Sequence, residues 1–376
     1  GATHVSEVAS GLTALGHKVR VMARSHSAVP APMPALDLKA LNFHPMLALL
    51  GSFRISHELR RSRPDLLMER YYNFAGAGVW QAKRRGIPSM LEVNAPMLDP
   101  PGTLKSGVDR LLLGAMRRWA ARQARWSRAI VTPLATTVPP EVSRRKIHEL
   151  PWGANVERFS PASPTEKADG RLILQRDFGV RAGGPLFVFL GSFRGWHGAL
   201  NFAEAARRML DGGSEAQFMA IGDGPELETV RRHLSSWGIS SRFTLLGAQP
   251  HELVPRLLRA ADVGVAPFDL AAHLPLRTFG FYWSPLKVFE YMASGLPVVT
   301  IRVHPLNEIV RHGREGMLYT PGDTIELAVC LSRLAGQPGL AAELGRAARE
   351  RVRERYSWQS HCIALDHILQ GISRAS

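Results

Sequence analysis

Apolar and polar positions follow two rhythms along the chain. Short continuous apolar runs, of which 185–190 (PLFVFL) is the clearest, alternate with longer stretches carrying an apolar stripe at helical spacing. Continuous runs of that length are strands buried on both faces, and helices between them make a parallel α/β arrangement.

In the first part, Val5, Val8, Ala9 and Leu12 share one face of a predicted helix over 4–15, which Gly16 ends. Strands are expected at 18–23, 66–69, 89–93 and 129–132, with helices at 75–85 and from about 107 to 125. Residues 149–165, opening with ELPWGANVERFSP, hold Pro, Gly and Asn between two α/β blocks and read as a linker. The second block repeats strand and helix six times, with strands at 185–190, 217–221, 243–246, 263–266, about 296–301 and 316–319. A loop is expected over 267–284, then a helix over 285–294 with Ser284 as N-cap and Pro285 at its first position. Six such units complete a doubly wound domain. The first block begins at Gly1-Ala2, which looks like the end of a Gly-rich turn whose preceding central strand is missing.

Composition narrows the possibilities. The 376 residues have a net charge of +15. Residues 1–150 hold 22 Lys and Arg against 10 Asp and Glu, whereas 151–376 hold 25 against 22. The excess therefore sits in the N-terminal part, and it fits an anionic partner or an Arg-rich genome. On the predicted helix after 107, Arg118, Arg122 and Arg125 lie at i, i+4 and i+7, with Arg117 and Arg128 beside them. That face suits either open water or an anionic membrane surface. No apolar stretch approaches the ~18 residues of a spanning helix. Cys330 and Cys362 cannot make a disulfide framework and read as packing residues of a reduced, cytoplasmic compartment, with peripheral attachment at the inner membrane face left open. The His residues are scattered without metal-ligand spacing, so neither a metal nor another cofactor is expected. No aromatic-interleaved basic motif supports nucleic acid binding.

Three segments can carry chemistry. The loop GSFRGWHG (191–198) follows a buried strand and precedes a helix. It can offer backbone N–H groups with Arg194 and His197 to a phosphate, or it is a tight turn with solvated side chains. At SPLKVFEYMASG (284–295) the N–H groups of Leu286 and Lys287 point out of a helix start and Lys287 adds a full charge, a favourable place for an anion. Glu290, three residues on, is either a surface partner of Lys287 or an acceptor for ribose hydroxyls. In IGDGPE (221–226), Asp223 reads as a turn residue.

Together with RFTLLGAQPHELVPRLLRAADVGVAPF, GMLYTPGD and RERYSW, these segments occur in the order seen in family 4 retaining glycosyltransferases of the GT-B fold, which the chain resembles over nearly its whole length. The resemblance implies an α/β protein with two Rossmann-like domains facing a cleft, the first lacking its initial strand. It places an acceptor-side domain at 1–148, the linker at 149–165, a nucleotide-sugar domain at 166–360 and a terminal helix at 361–376 that crosses back to the first domain. It also implies transfer of a sugar, with retained configuration and no bound metal, from a nucleotide-sugar to a glycan, lipid-linked or small-molecule acceptor.

By motif position, the donor would meet Gly1, Ala2, Gly191, Ser192, Gly222, Leu246, Gly247, Leu286, Lys287 and Glu290. Asn94, Arg194, His197 and Lys287 would serve the chemistry, with Asn94 favoured over Glu92 in LEVNAP (91–96). Ser192 stands where the family usually has Arg, His197 where it has Lys, and Tyr282 where it has the first Glu of E-x₇-E. Phosphate clamping is therefore expected to lean on Arg194 and Lys287. A nucleotide-sugar epimerase and an inactive truncated homologue that only binds are the competing readings.

Overall fold

The computed structural model describes residues 2–23, 37–40, 52–73 and 75–374. Gly1 lies outside the described residues. The chain forms two compact units. The first comprises Gly1–Trp152, Thr278–Ser284 and Trp358–Ser376, and the second Gly153–Arg277 and Pro285–Ser357.

The first unit opens with the helix Ala2–Ala14 and holds two parallel sheets. One pairs β1 (Arg20–Ala23) with β2 (Asp37–Ala40). The other has the order β3 (Leu67–Arg70), β4 (Ser89–Glu92), β5 (Ala129–Thr132) and β6 (Ile147–Glu149). β4 and β5, the two inner strands of this sheet, are buried along their whole length. Leu91, Val93, Ile130, Val79 and Ala124 make the centre of this core.

The second unit is one six-stranded parallel sheet. Its strands are β7 (Leu186–Leu190), β8 (Gln217–Ile221), β9 (Phe243–Gly247), β10 (Val263–Ala266), β11 (Val298–Ile301) and β12 (Gly316–Tyr319). They lie in the order β12-β11-β10-β7-β8-β9. Chain order reverses between β7 and β10, and doubly wound sheets bind ligands at the carboxyl ends of such strands. Phe187, Phe218 and Phe243 stack across β7, β8 and β9, and Phe202 packs on Phe218 and Phe243 from the helix Ala199–Asp211.

Some expectations need correction. The predicted helix from 107 to 125 is two helices, Leu104–Leu111 and Ala115–Trp126. The chain breaks between them because Leu113 and Gly114 adopt positive φ values of 52° and 77°. Residues 267–284 are not all loop, since Leu274–Phe279 is helical. Ser284 does not cap the next helix: Pro285 occupies the N-cap, and the Ser284 hydroxyl accepts the backbone N–H of Trp152 at 3.0 Å.

Candidate active site

In the second unit, the loops after β7, β8 and β9 are laced together by backbone bonds. Gly191 N–H donates to Ile221 O at 2.9 Å, Gly222 N–H to Gly247 O at 2.8 Å, and Phe193 N–H to Asp223 O at 2.9 Å. Two glycines make this approach possible. A Cβ at Gly222 (φ 137°) would sit 1.9 Å from Gly191 O. One at Gly191 (φ 150°) would sit 2.6 Å from Lys287 Nζ and 2.8 Å from His197 Nδ1. Asp223 stays within its own turn, accepting from Gly224 N–H.

The helix Leu286–Ala293 ends this construction on the other side. Tyr291 locks it in place: its ring lies against Gly264 of β10, and its hydroxyl accepts Leu190 N–H at the end of β7 at 2.6 Å. Lys287 is thereby buried at the edge of the sheet, its ammonium 4.4 Å from the centre of the Phe189 ring and 5.0 Å from that of Phe268. It donates to His197 Nδ1 at 3.4 Å, and among the described residues no carboxylate forms an ion pair with it. The N–H groups of Leu286 and Lys287 donate to no protein acceptor among the described residues. A buried cation beside open N–H donors is an arrangement suited to an anion.

Burial holds the Lys287 ammonium well below its ordinary pKa, and the carboxylate of Glu290 opposes that shift. Burial likewise raises the Glu290 carboxyl, against the pull of Lys287 and Arg158. His197 is pushed down to about 3 by burial and by the charges of Lys287 and Arg194, so it is neutral at physiological pH. Ser192 Oγ lies 3.5 Å from the same His197 nitrogen. Arg194 is exposed, its guanidinium 5.3 Å from the centre of the Trp196 ring. Leu246 and Gly247 end β9, where Leu246 O accepts from the Gln249 amide at 2.6 Å.

A separate cluster forms at the end of β4 in the first unit. Asn94 donates from Nδ2 to Glu92 at 2.8 Å, and its Oδ1 accepts from the Trp152 indole at 3.2 Å. Glu92 is buried and lies 2.9 Å from His4 Nε2. Burial would raise its carboxyl, but hydrogen bonds from His4 and Asn94 and the charges of His4 and Arg70 hold it below the usual range. His4 stacks on Trp152 at 4.3 Å, and Trp358 and His361 close the cluster. The sequence reading named Asn94 but missed His4, Trp152 and His361, because partners from dozens to hundreds of residues apart leave no spacing signal. Ala2 is the first residue of the opening helix. Tyr282 is buried in the first unit although it stands eight residues before Glu290.

A doubly wound sheet with this edge belongs to a well-populated class, and the comparisons say which. Residues 1–138 match the model of Glycosyltransferase Family 4, and residues 184–337 that of Glycosyl transferases group 1. The chain is 30% identical over 371 residues to a 2-deoxystreptamine N-acetyl-D-glucosaminyltransferase of Streptomyces fradiae, covering 92% of this chain and 81% of that one. It is 29% identical over 284 residues to a 2-deoxystreptamine glucosyltransferase of Streptomyces kanamyceticus, covering 73% and 68%. The crystal structure of Anabaena HepE in complex with UDP-glucose shares the fold, with a TM-score of 0.72 at 16% identity over 98% of this chain and 95% of that one. These matches define a transferase with the GT-B fold. The chain belongs to glycosyltransferase family 4.

Proposed function

We propose that the protein transfers a hexosyl group from a nucleoside-diphosphate sugar to an acceptor hydroxyl with retention at the anomeric carbon. The observation that carries this reading is the buried ammonium of Lys287, which among the described residues has no ion-paired carboxylate, beside the N–H groups of Leu286 and Lys287 at the switch point of the sheet. A diphosphate is the anion that such a set would hold. In the reaction the bond from the anomeric carbon to the phosphate oxygen breaks, the acceptor oxygen takes its place and its proton is released. Charge grows on the departing diphosphate, where Lys287 and Arg194 act electrostatically in place of a metal. His197, neutral, contributes a hydrogen bond rather than charge. Glu290 takes the ribose hydroxyls, and Gly191, Ser192, Gly222, Leu246 and Gly247 line the donor. Gly1 and Ala2 keep the roles that their motif position implies. Asn94, held between Glu92 and Trp152, keeps the role toward the reacting sugar that its motif position implies.

The complex of HepE with UDP-glucose supports a uridine donor, and the two Streptomyces relatives support a small polyhydroxylated acceptor, with glycan and lipid-linked acceptors as the other classes. The test is incubation with UDP-glucose or UDP-N-acetylglucosamine and 2-deoxystreptamine or a lipid extract, followed by NMR of the anomeric proton. An α-linked product supports the reading. A β-linked product overturns retention, and an epimerised donor without transfer favours the epimerase.

A further inference from the structure

The helix Leu104–Leu111 buries none of its residues. Leu104, Val108 and Leu111 fall at i, i+4 and i+7 and form one apolar stripe facing solvent. Leu104 is 86% exposed, and Leu111 and Leu113 are each 83% exposed. At helical spacing, Lys105 and Arg110 flank the stripe at roughly 100–120° on either side.

The turn that follows is built to keep its leucines outward. Leu113 sits at a φ of 52°, a costly conformation for a bulky residue, and Gly114 follows at 77°. Arg118 donates to Leu113 O at 2.5 Å, and Asp109 accepts Met116 N–H at 2.8 Å, pinning both ends of the turn. Leu112, beside Leu113, is 47% exposed. The surroundings are one-signed: residues 104–128 carry seven Lys and Arg against one acid, Asp109, which the turn already uses. Lys105, Arg110, Arg117, Arg118, Arg122 and Arg125 are all exposed.

We propose that this surface docks the enzyme on an anionic bilayer leaflet, with Leu104, Leu111 and Leu113 entering the boundary between headgroups and acyl chains and the surrounding arginines on lipid phosphates. Apolar side chains ringed by cations match that surface: Lys105 pairs with Asp99 at 3.6 Å, but among the described residues no carboxylate pairs with Arg110, Arg117, Arg118, Arg122 or Arg125. A second copy of this chain would bring the same positive field against itself. The proposal concerns where the enzyme sits and stands apart from the identity of donor and acceptor.

Co-sedimentation of the full chain with vesicles decides it. Phosphatidylglycerol vesicles should retain the protein at low salt, retention should fall at high salt, and phosphatidylcholine vesicles should leave it in solution. Leu104→Gln with Leu111→Gln and Leu113→Gln should lower partitioning roughly tenfold or more without shifting the thermal melt, since these side chains are exposed. Arg110→Gln with Arg117→Gln and Arg122→Gln should lower it roughly a hundredfold, and this second variant stands if the first fails to fold. No retention on phosphatidylglycerol at low salt overturns the proposal. Retention unchanged in the leucine variant also overturns it, leaving charge attraction alone. A lipid-free dimer that the leucine variant dissociates, with no vesicle binding, assigns the face to a second copy instead.

Discussion

The ammonium of Lys287 stands 3.4 Å from Nδ1 of His197, and burial first and this closeness second keep the imidazole uncharged. Both are withdrawn from water, and the imidazole gives way first: its Nδ1 accepts from the ammonium, which a protonated ring could not do. Of the two, the charge therefore resides on Lys287 and not on His197.

Removing that cation should separate binding from stability. Lys287→Met puts an apolar side chain where the ammonium lies against Phe189 and Phe268 and deletes a buried charge that, among the described residues, has no ion-paired carboxylate. UDP affinity should fall by about 2 kcal/mol, the range for charged hydrogen bonds, while the melting temperature holds or rises. Isothermal titration and a thermal melt check both. An unchanged UDP affinity would remove Lys287 from the phosphate site.

The same residue sets a pH window. Burial lowers Lys287 to about 7, and a bound diphosphate favours its charged form. Lys287 therefore does not impede binding below pH 7, and its contribution weakens as the pH rises above it, because protonation must accompany binding. Lys287→Arg should flatten this alkaline limb, since a guanidinium stays charged. UDP titrations from pH 6 to 9 test it, and parallel profiles for the two proteins would count against the assignment. His197→Ala, by contrast, should leave the shape of the profile unchanged over this range, because His197 is already neutral.

Glu290 can be tested against its proposed ligand group. Glu290→Gln should weaken UDP binding by about 1.5–3 kcal/mol. The loss should be much smaller for 2′-deoxy-UDP, which lacks one of the hydroxyls concerned. Equal losses for both nucleotides would show that the carboxylate acts on the helix and not on the ribose.

Asn94 is fixed by two neighbours, so its role divides into contact and positioning. Asn94→Ala should reduce kcat roughly tenfold or more with little change in UDP affinity. Trp152→Phe, which deletes only the indole N–H that Asn94 Oδ1 accepts, should move kcat in the same direction by less. A loss of UDP affinity matching the loss of kcat in either variant would contradict a role confined to the reacting sugar.

The fit of Tyr291 against β10 predicts a packing effect. A Cβ at Gly264 would lie 2.3 Å from the Tyr291 ring. Gly264→Ala should therefore destabilise the protein by about 1–3 kcal/mol through overpacking, read as a lower urea midpoint. An unaltered midpoint would mean that the ring can withdraw without cost.

The sequence by itself determined the second unit almost strand by strand. A run such as PLFVFL has no polar side to expose, so it is a strand between two covering layers whatever its neighbours are. The local order of strand, Gly-rich turn and helix likewise placed Gly191, Lys287 and Glu290 at one sheet edge, because a strand delivers its loop to its own carboxyl end. Other features were decided only by the tertiary structure. The break at Leu113 interrupts what reads as one continuous helical stripe, and it depends on Arg118 and Asp109 pinning the turn. Ser284 has the chemistry of an N-cap, yet its hydroxyl is taken by Trp152, 132 residues away. The Glu92–His4 pair joins a strand end to the opening helix, and the open N–H groups at Lys287 depend on what else reaches them. Propensity and spacing act over a few residues, whereas these contacts join residues brought together only when the units fold, so no local pattern records them.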